Sequence, residues 1–308
     1  MLEDILKDNK CFKLVCGAGN EYAAEVEKLV YLYSKAGCNI FDVSANADVI
    51  RAAKRGLEKA GILENRYICV SVGIKGDPHI NKAFINPEKC RRCLKCFSVC
   101  PQSAIKSCIV DERKCIGCQK CFRVCAYDAV GIQNKSKDIE NLLPIIIDED
   151  VDLIELHAIS SDENDFEENL KIINNRFKGL ISICLDRSKL SNEQFISRIK
   201  RAKEIIQDRP FIIQADGAPM SGGEDDYNST LQAVAAAELI QKSKLDVYVL
   251  ISGGTNSKSK KLADLCGVNI NGVAIGSYAR KIVKDYLCDK MEISYALKIA
   301  EDLVKSIY

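Results

Sequence analysis

Two periodicities alternate along this chain: short apolar runs of strand length, and longer stretches in which apolar residues recur at helical spacing. The first run, residues 13–16, precedes a stretch at 21–36 whose Val26, Leu29, Val30 and Tyr33 share one helical face. Residues 39–43 predict a second strand and 47–60 a second helix, with Val49, Ala52, Ala53, Gly56, Leu57 and Ala60 turned inward. A third strand is predicted at 67–73, and there the rhythm breaks. It resumes with a helix at 139–147 and strands at 153–156, 180–185, 211–214, 247–251 and 272–275. Helices at 166–175, 192–207, 230–243 and 257–266 separate these strands, and residues 278–308 read as helix in two pieces.

Regular strand–helix alternation demands a parallel sheet with its helices outside. Eight such units match the size of a (β/α)8 barrel; an open doubly wound sheet is the alternative. The predicted fold class is therefore α/β, a (β/α)8 TIM-like barrel. Residues 1–79 and 137–308 form the barrel, and residues 80–136 form an inserted α+β domain after the third strand. That insertion point lies on the face where barrels keep their chemistry.

Sixteen cysteines in 308 residues change the picture. The first residues, MLEDILKDNK, do not read as an export signal, and no apolar run approaches the length of a membrane span. A soluble, cytoplasmic protein is expected, in which metal ligation explains the cysteines better than disulfides do. Cys90, Cys93, Cys96 and Cys100 have the spacing C-x2-C-x2-C-x3-C, with Pro101 following. Cys115, Cys118, Cys121 and Cys125 repeat it. The duplication runs beyond the cysteines, since residues 85–105 align with 110–130, and it predicts two small stacked halves. Over this stretch the sequence resembles the bacterial two-cluster ferredoxins, with Ala126 where many of them have a second proline. In such proteins the fourth cysteine of each run serves the other cubane. Two [4Fe–4S] clusters are thus expected, one on Cys90, Cys93, Cys96 and Cys125, the other on Cys115, Cys118, Cys121 and Cys100. Structural zinc is the competing reading, and its sites usually space paired cysteines by longer loops. The remaining cysteines are expected to pack as small apolar groups, with Cys108 lining the clusters and Cys16, before Gly17, the one to watch.

The ends of the predicted strands carry Asp42 and Ser44, Lys75 and His79, Glu155 and His157, Asp186, then Gln214 and Asp216. Singly these are solvated loop residues or helix caps; together they predict a polar barrel mouth. Residues 214–223, QADGAPMSGG, form a loop able to close over a ligand. Strand seven runs into Ser252-Gly253-Gly254-Thr255 and strand eight into Gly276-Ser277, each opening a helix. Barrels commonly bind phosphate at these two loops, through backbone N–H groups that a side chain would hold away. Gly253, Gly254, Gly276 and Ser277 are the candidate residues for a phosphate-bearing small molecule. The ISGG…AIGS ending resembles the flavin-mononucleotide (FMN) and sugar-phosphate barrels. The whole layout is similar to the LdpA iron–sulfur family, carried by the two cysteine motifs, QADGAPMSGG and ISGGTNSKSKKLADLCGVNINGVAIGSYARK. That resemblance implies redox sensing or electron transfer.

The charge is uneven. Residues 85–137 hold eleven Lys and Arg against four Asp and Glu, a net +7 in a chain whose total is +1. Two oxidised cubanes would offset about −4 of this, so about +3 remains to steer an acidic electron-transfer partner. The modest total charge and sparse aromatics argue against a nucleic-acid or membrane partner. Two functions stay open: a ferredoxin-linked oxidoreductase passing electrons to a flavin or phosphate ligand in the mouth, and a redox-sensing protein without substrate turnover.

Overall fold

The computed structural model describes residues 1–17, 19–74, 81–135, 137–159, 162–217 and 226–308. Twelve strands are described: β1 (Cys11–Val15), β2 (Ile40–Ser44), β3 (Tyr67–Gly73), β4 (Asn81–Ile85), β5 (Ile105–Lys106), β6 (Ile109–Val110), β7 (Val130–Asn134), β8 (Leu153–His157), β9 (Leu180–Leu185), β10 (Phe211–Asp216), β11 (Tyr248–Ser252) and β12 (Gly272–Ile275). Eight of them close a barrel in the order β1-β12-β11-β10-β9-β8-β3-β2, every pair parallel. The doubly wound alternative is therefore excluded.

Alternation along each strand sorts the side chains. Phe12 and Leu14, Phe41 and Val43, Val70 and Val72, and Ile181 and Ile183 join the apolar layer between sheet and helices. The intervening residues point into the barrel. Their lowest layer, Cys11, Ile40, Cys69, Leu153, Ile212 and Leu250, is apolar and is closed from below by Leu2, Ile5 and Leu6. These three belong to a helix, Leu2–Lys7, that periodicity did not reveal. The C-terminal region differs as well. It holds three helices, Ser277–Ile282, Lys284–Leu287 and Ile293–Lys305, rather than two. The helix after β11 starts only at Ser259, so the Gly253-Gly254 turn does not run directly into it. No described helix is long and apolar enough to cross a membrane.

Between β3 and β8 lie two small antiparallel sheets, β4 with β7 and β5 with β6. Their two halves repeat in backbone detail. The helix Lys95–Ser98 is entered through Leu94 at φ 60° and left through Val99 at φ −94°, ψ −3°. The helix Lys120–Arg123 is entered through Gln119 and left through Val124 at the same φ values. Among the positions where the two halves differ in sequence, Arg92 in the first corresponds to Gly117 in the second. Both have positive φ, but a Cβ on Gly117 would lie 2.5 Å from the Asn81 carbonyl oxygen. Gly117→Arg, which copies the first half, should push β4 off the second half. Loss of iron from the second motif, with the first retained, is the expected result by metal analysis and electron paramagnetic resonance.

Candidate functional site: two cysteine-lined cavities and a charged barrel interior

The duplicated helical turns bring the cysteines round two cavities. One is lined by Cys90, Cys93, Cys96 and Cys125, with Cys108 on its wall. The other is lined by Cys115, Cys118, Cys121 and Cys100. In each, three cysteines come from one run and the fourth from the other. Backbone N–H groups already point at sulfur: Ala83 donates to Cys115 Sγ at 3.4 Å, Ala104 to Cys100 Sγ at 3.3 Å and Arg92 to Cys90 Sγ at 3.4 Å. Such donors stabilise thiolates and tune a cluster they hold. Thiolate-rich, N–H-lined cavities of this kind fit an iron–sulfur cubane.

The two cavities differ in depth. Cys93 is exposed, whereas Cys115 and Cys121 are buried. The Cys115 side packs on the loop after β1: Arg113 O accepts from Glu21 N at 2.9 Å, and the Lys114 amine sits 4.4 Å over the Tyr22 ring. Lys82 fastens this junction. Its buried amine donates to Gly19 O at 2.6 Å and to Glu112 O and Cys115 O at 2.8 Å each. Burial holds that amine below the usual lysine value, although Glu21 pulls it back. The second cysteine quartet therefore abuts the C-terminal end of the barrel.

Inside the barrel, above the apolar layer, the wall is charged. Lys13 on β1 is 2% exposed, with its Nζ 3.1 Å from Asp42 Oδ2, 2.9 Å from Gln214 Oε1 and in short contact with Glu155 Oε2. Ser71 donates to Asp42 Oδ1 at 2.5 Å and Ser182 to Glu155 Oε2 at 2.7 Å. Gln214 Nε2 donates to Glu155 Oε1 at 3.0 Å and reaches Cys184 Sγ at 3.5 Å. His157 Nε2 lies 3.2 Å from Glu155 Oε1, and Cys184 Sγ 3.6 Å from Asp216 Oδ2. Burial lowers the Lys13 amine, but Asp42 and Glu155 outweigh it and hold it well above its usual value. Burial also penalises both carboxylates. At Asp42 burial prevails and raises it, whereas at Glu155 Lys13 and His157 prevail and hold it far below the carboxylate range. Burial pushes the Cys184 thiol well above its ordinary value and Cys16 up to about 12.

Asp42, Glu155, His157, Gln214 and Asp216, read from the sequence as a polar mouth, are thus buried in one network, not solvated. Ser44 and Asp186 are also buried. Lys75, His79 and residues 218–223 of the QADGAPMSGG loop lie outside the described residues. Lys13 escaped the sequence reading altogether. The glycines at the ends of β11 and β12 lie on the rim, with Gly253 packed against Asp216 of this network. Gly253 and Gly254 have φ of 80° and 71°, and Gly276 precedes the helix Ser277–Ile282. A Cβ on Gly253 would lie 2.4 Å from Asp216 Oδ1 and 2.6 Å from Gly217 N, so packing alone requires glycine there.

Against known proteins, the barrel resembles solved structures in fold alone. A truncated 3-deoxy-D-arabino-heptulosonate 7-phosphate synthase from Thermotoga maritima aligns at TM-score 0.51 and 10% identity, over 95% of this chain and 84% of that one. The tryptophan synthase alpha subunit of Legionella pneumophila str. Paris aligns at TM-score 0.51 and 9% identity, over 99% and 97%. In sequence, a 4Fe-4S binding domain model matches residues 83–106, which hold the first cysteine run. The protein "Light dependent period A" of Synechococcus elongatus is 28% identical over 298 residues, spanning 92% of this chain and 84% of that protein. The model of the Light dependent period A C-terminal domain matches residues 145–306, from the helix before β8 through the last helix. With more than half its length matched by that model and its cysteine module intact, the chain belongs to the Light dependent period A family as an iron–sulfur electron-transfer or redox-sensing protein.

Proposed function

We propose that the chain holds two [4Fe–4S] clusters, one on Cys90, Cys93, Cys96 and Cys125 and the other on Cys115, Cys118, Cys121 and Cys100. Electrons enter at the first and leave from the second to a phosphate-bearing ligand, FMN, at the barrel mouth. The observation that carries the reading is the Lys82 junction, which sets the buried quartet against the loop after β1 while Cys93 stays exposed. A flavin accepts single electrons and delivers pairs. Backbone N–H groups around Gly253, Gly254, Gly276 and Ser277 would hold its phosphate. The electron donor is an acidic protein. Leu94, Phe97, Phe122 and Tyr127 are exposed round the cysteine module, interspersed with exposed Arg91, Arg92, Lys95 and Arg123. An apolar patch with a basic rim suits docking of an acidic surface.

The sensing reading draws on a different observation, that packing against Asp216 and Gly217 already accounts for Gly253 without a ligand. Flavin content separates the two. Protein purified anaerobically should retain or take up FMN with its full iron content, and Gly254→Asp should abolish flavin binding while iron stays unchanged. Wild-type protein that binds neither FMN nor another phosphorylated ligand leaves redox sensing, with the docking patch as its output.

A further inference from the structure

We propose that Glu155, His157 and Cys184 form a binding site for one divalent transition-metal ion inside the barrel, separate from the cysteine module. Their ligand atoms all lie within 4.8 Å of one another, and all three residues are buried. The strands fix this arrangement. Glu155 and His157 are two residues apart on β8 and so share its inner face. Cys184 on β9 is the direct register partner of His157.

The supporting contacts are those of a prepared site. Glu155 Oε2 is held by Lys13 and by Ser182, which orients Oε1 toward His157 Nε2. Metal-binding carboxylates and imidazoles are usually held by such neighbours, and these partners also keep the side chains in one rotamer. Barrels normally fill these layers with branched apolar side chains, and an apolar replacement would avoid the desolvation cost this network carries.

The donor set selects the class of ion. One thiolate, one imidazole and one carboxylate suit zinc or another first-row transition metal, whereas magnesium and calcium require oxygen ligands. Binding exchanges the Cys184 S–H bond for a sulfur–metal bond and releases one proton. Asp216 Oδ2, which accepts from Cys184 Sγ at 3.6 Å, stands where that proton would leave. Three protein ligands leave a fourth position for water or an oxygen-bearing ligand, the pattern of catalytic and not of structural zinc.

The test uses the intact, cluster-loaded protein equilibrated with Zn²⁺ and then desalted. About one equivalent of zinc per chain should remain, with a zinc X-ray absorption spectrum showing one sulfur at about 2.3 Å and nitrogen or oxygen at about 2.0–2.1 Å. Cys184→Ser and His157→Gln should each lower retained zinc at least about tenfold, since losing even an outer-shell partner costs about 10–100-fold in metal affinity. Iron, sulfide and far-ultraviolet circular dichroism should be unchanged. Should either variant misfold, the wild-type spectrum decides alone. A zinc shell made only of sulfur would mean metal lodged in the cluster cysteines and would overturn the proposal. So would wild-type protein that keeps no zinc, or folded variants that keep all of it.

Discussion

Lys13→Met is expected to destabilise the barrel by about 3–5 kcal/mol, the usual cost of removing one partner from a buried ion pair. Methionine fills a similar volume, so the loss comes from charge and not from a cavity. Glu155 and Asp42 would remain buried, at 0% and 1% exposure, without the amine that contacts both. The midpoint of urea unfolding should fall, and Lys13→Met combined with Glu155→Gln should recover most of the loss. The pH dependence gives a sharper check. In the wild type the folded Glu155 carboxyl lies below its unfolded value of 4.5. Its contribution is therefore complete above that value and is lost only as pH falls through the folded one. In Lys13→Met only His157 still opposes burial, and the carboxyl is expected to rise above its unfolded value of 4.5. The variant should then lose stability as pH rises above 4.5, where this group leaves the wild type flat. A variant as stable as the wild type would mean that the two carboxyls do not depend on Lys13.

Why Lys13 was illegible follows from its partners. Asp42, Glu155 and Gln214 stand 29, 142 and 201 residues away, so no local pattern joins them. The signal that existed was alternation: Phe12 and Leu14 mark one face of β1, which puts a charged residue between them on the other. The barrel itself was readable because a parallel sheet covered on both sides leaves continuous apolar runs, and helices covered on one side leave a 3.6-residue period. The helix Leu2–Lys7 has too few residues to register as a period; tertiary contact with the barrel floor stabilises it. The cysteine runs were readable because their spacing is local. The glycine turns were readable as positions but not as roles, since what Gly253 touches belongs to the neighbouring β10 loop. The metal-ligand group on β8 and β9 was half-visible: Glu155 and His157 drew notice as strand-end residues, while Cys184 looked like one more apolar cysteine until the register set it beside His157.

If the chain holds the two proposed cubanes, Cys93→Ser and Cys118→Ser should each remove about four of about eight iron atoms per chain, because each would take one ligand from a different cubane. The two losses should not be equivalent. Cys93 is exposed and belongs to the less buried quartet, whereas Cys115 of the other quartet gives its carbonyl oxygen to Lys82. Losing the second cluster should therefore also loosen the contact between Arg113 and Glu21 at the barrel. Protease sensitivity near residues 111–117 is expected to rise in Cys118→Ser and not in Cys93→Ser. Electron paramagnetic resonance of the reduced proteins adds a second measure. Two neighbouring reduced cubanes broaden each other's signals through magnetic coupling, so each variant should show the simpler spectrum of one isolated cubane. Electron flow gives the third. With an external reductant, both variants should still reduce their remaining cluster, but only the one that keeps the cluster on Cys115, Cys118, Cys121 and Cys100 should pass electrons to a ligand at the barrel mouth. If Cys118→Ser keeps all its iron, Cys118 is not a ligand and the crossed pairing of the two runs is wrong. If both variants pass electrons to the barrel equally well, the buried cluster is not the exit.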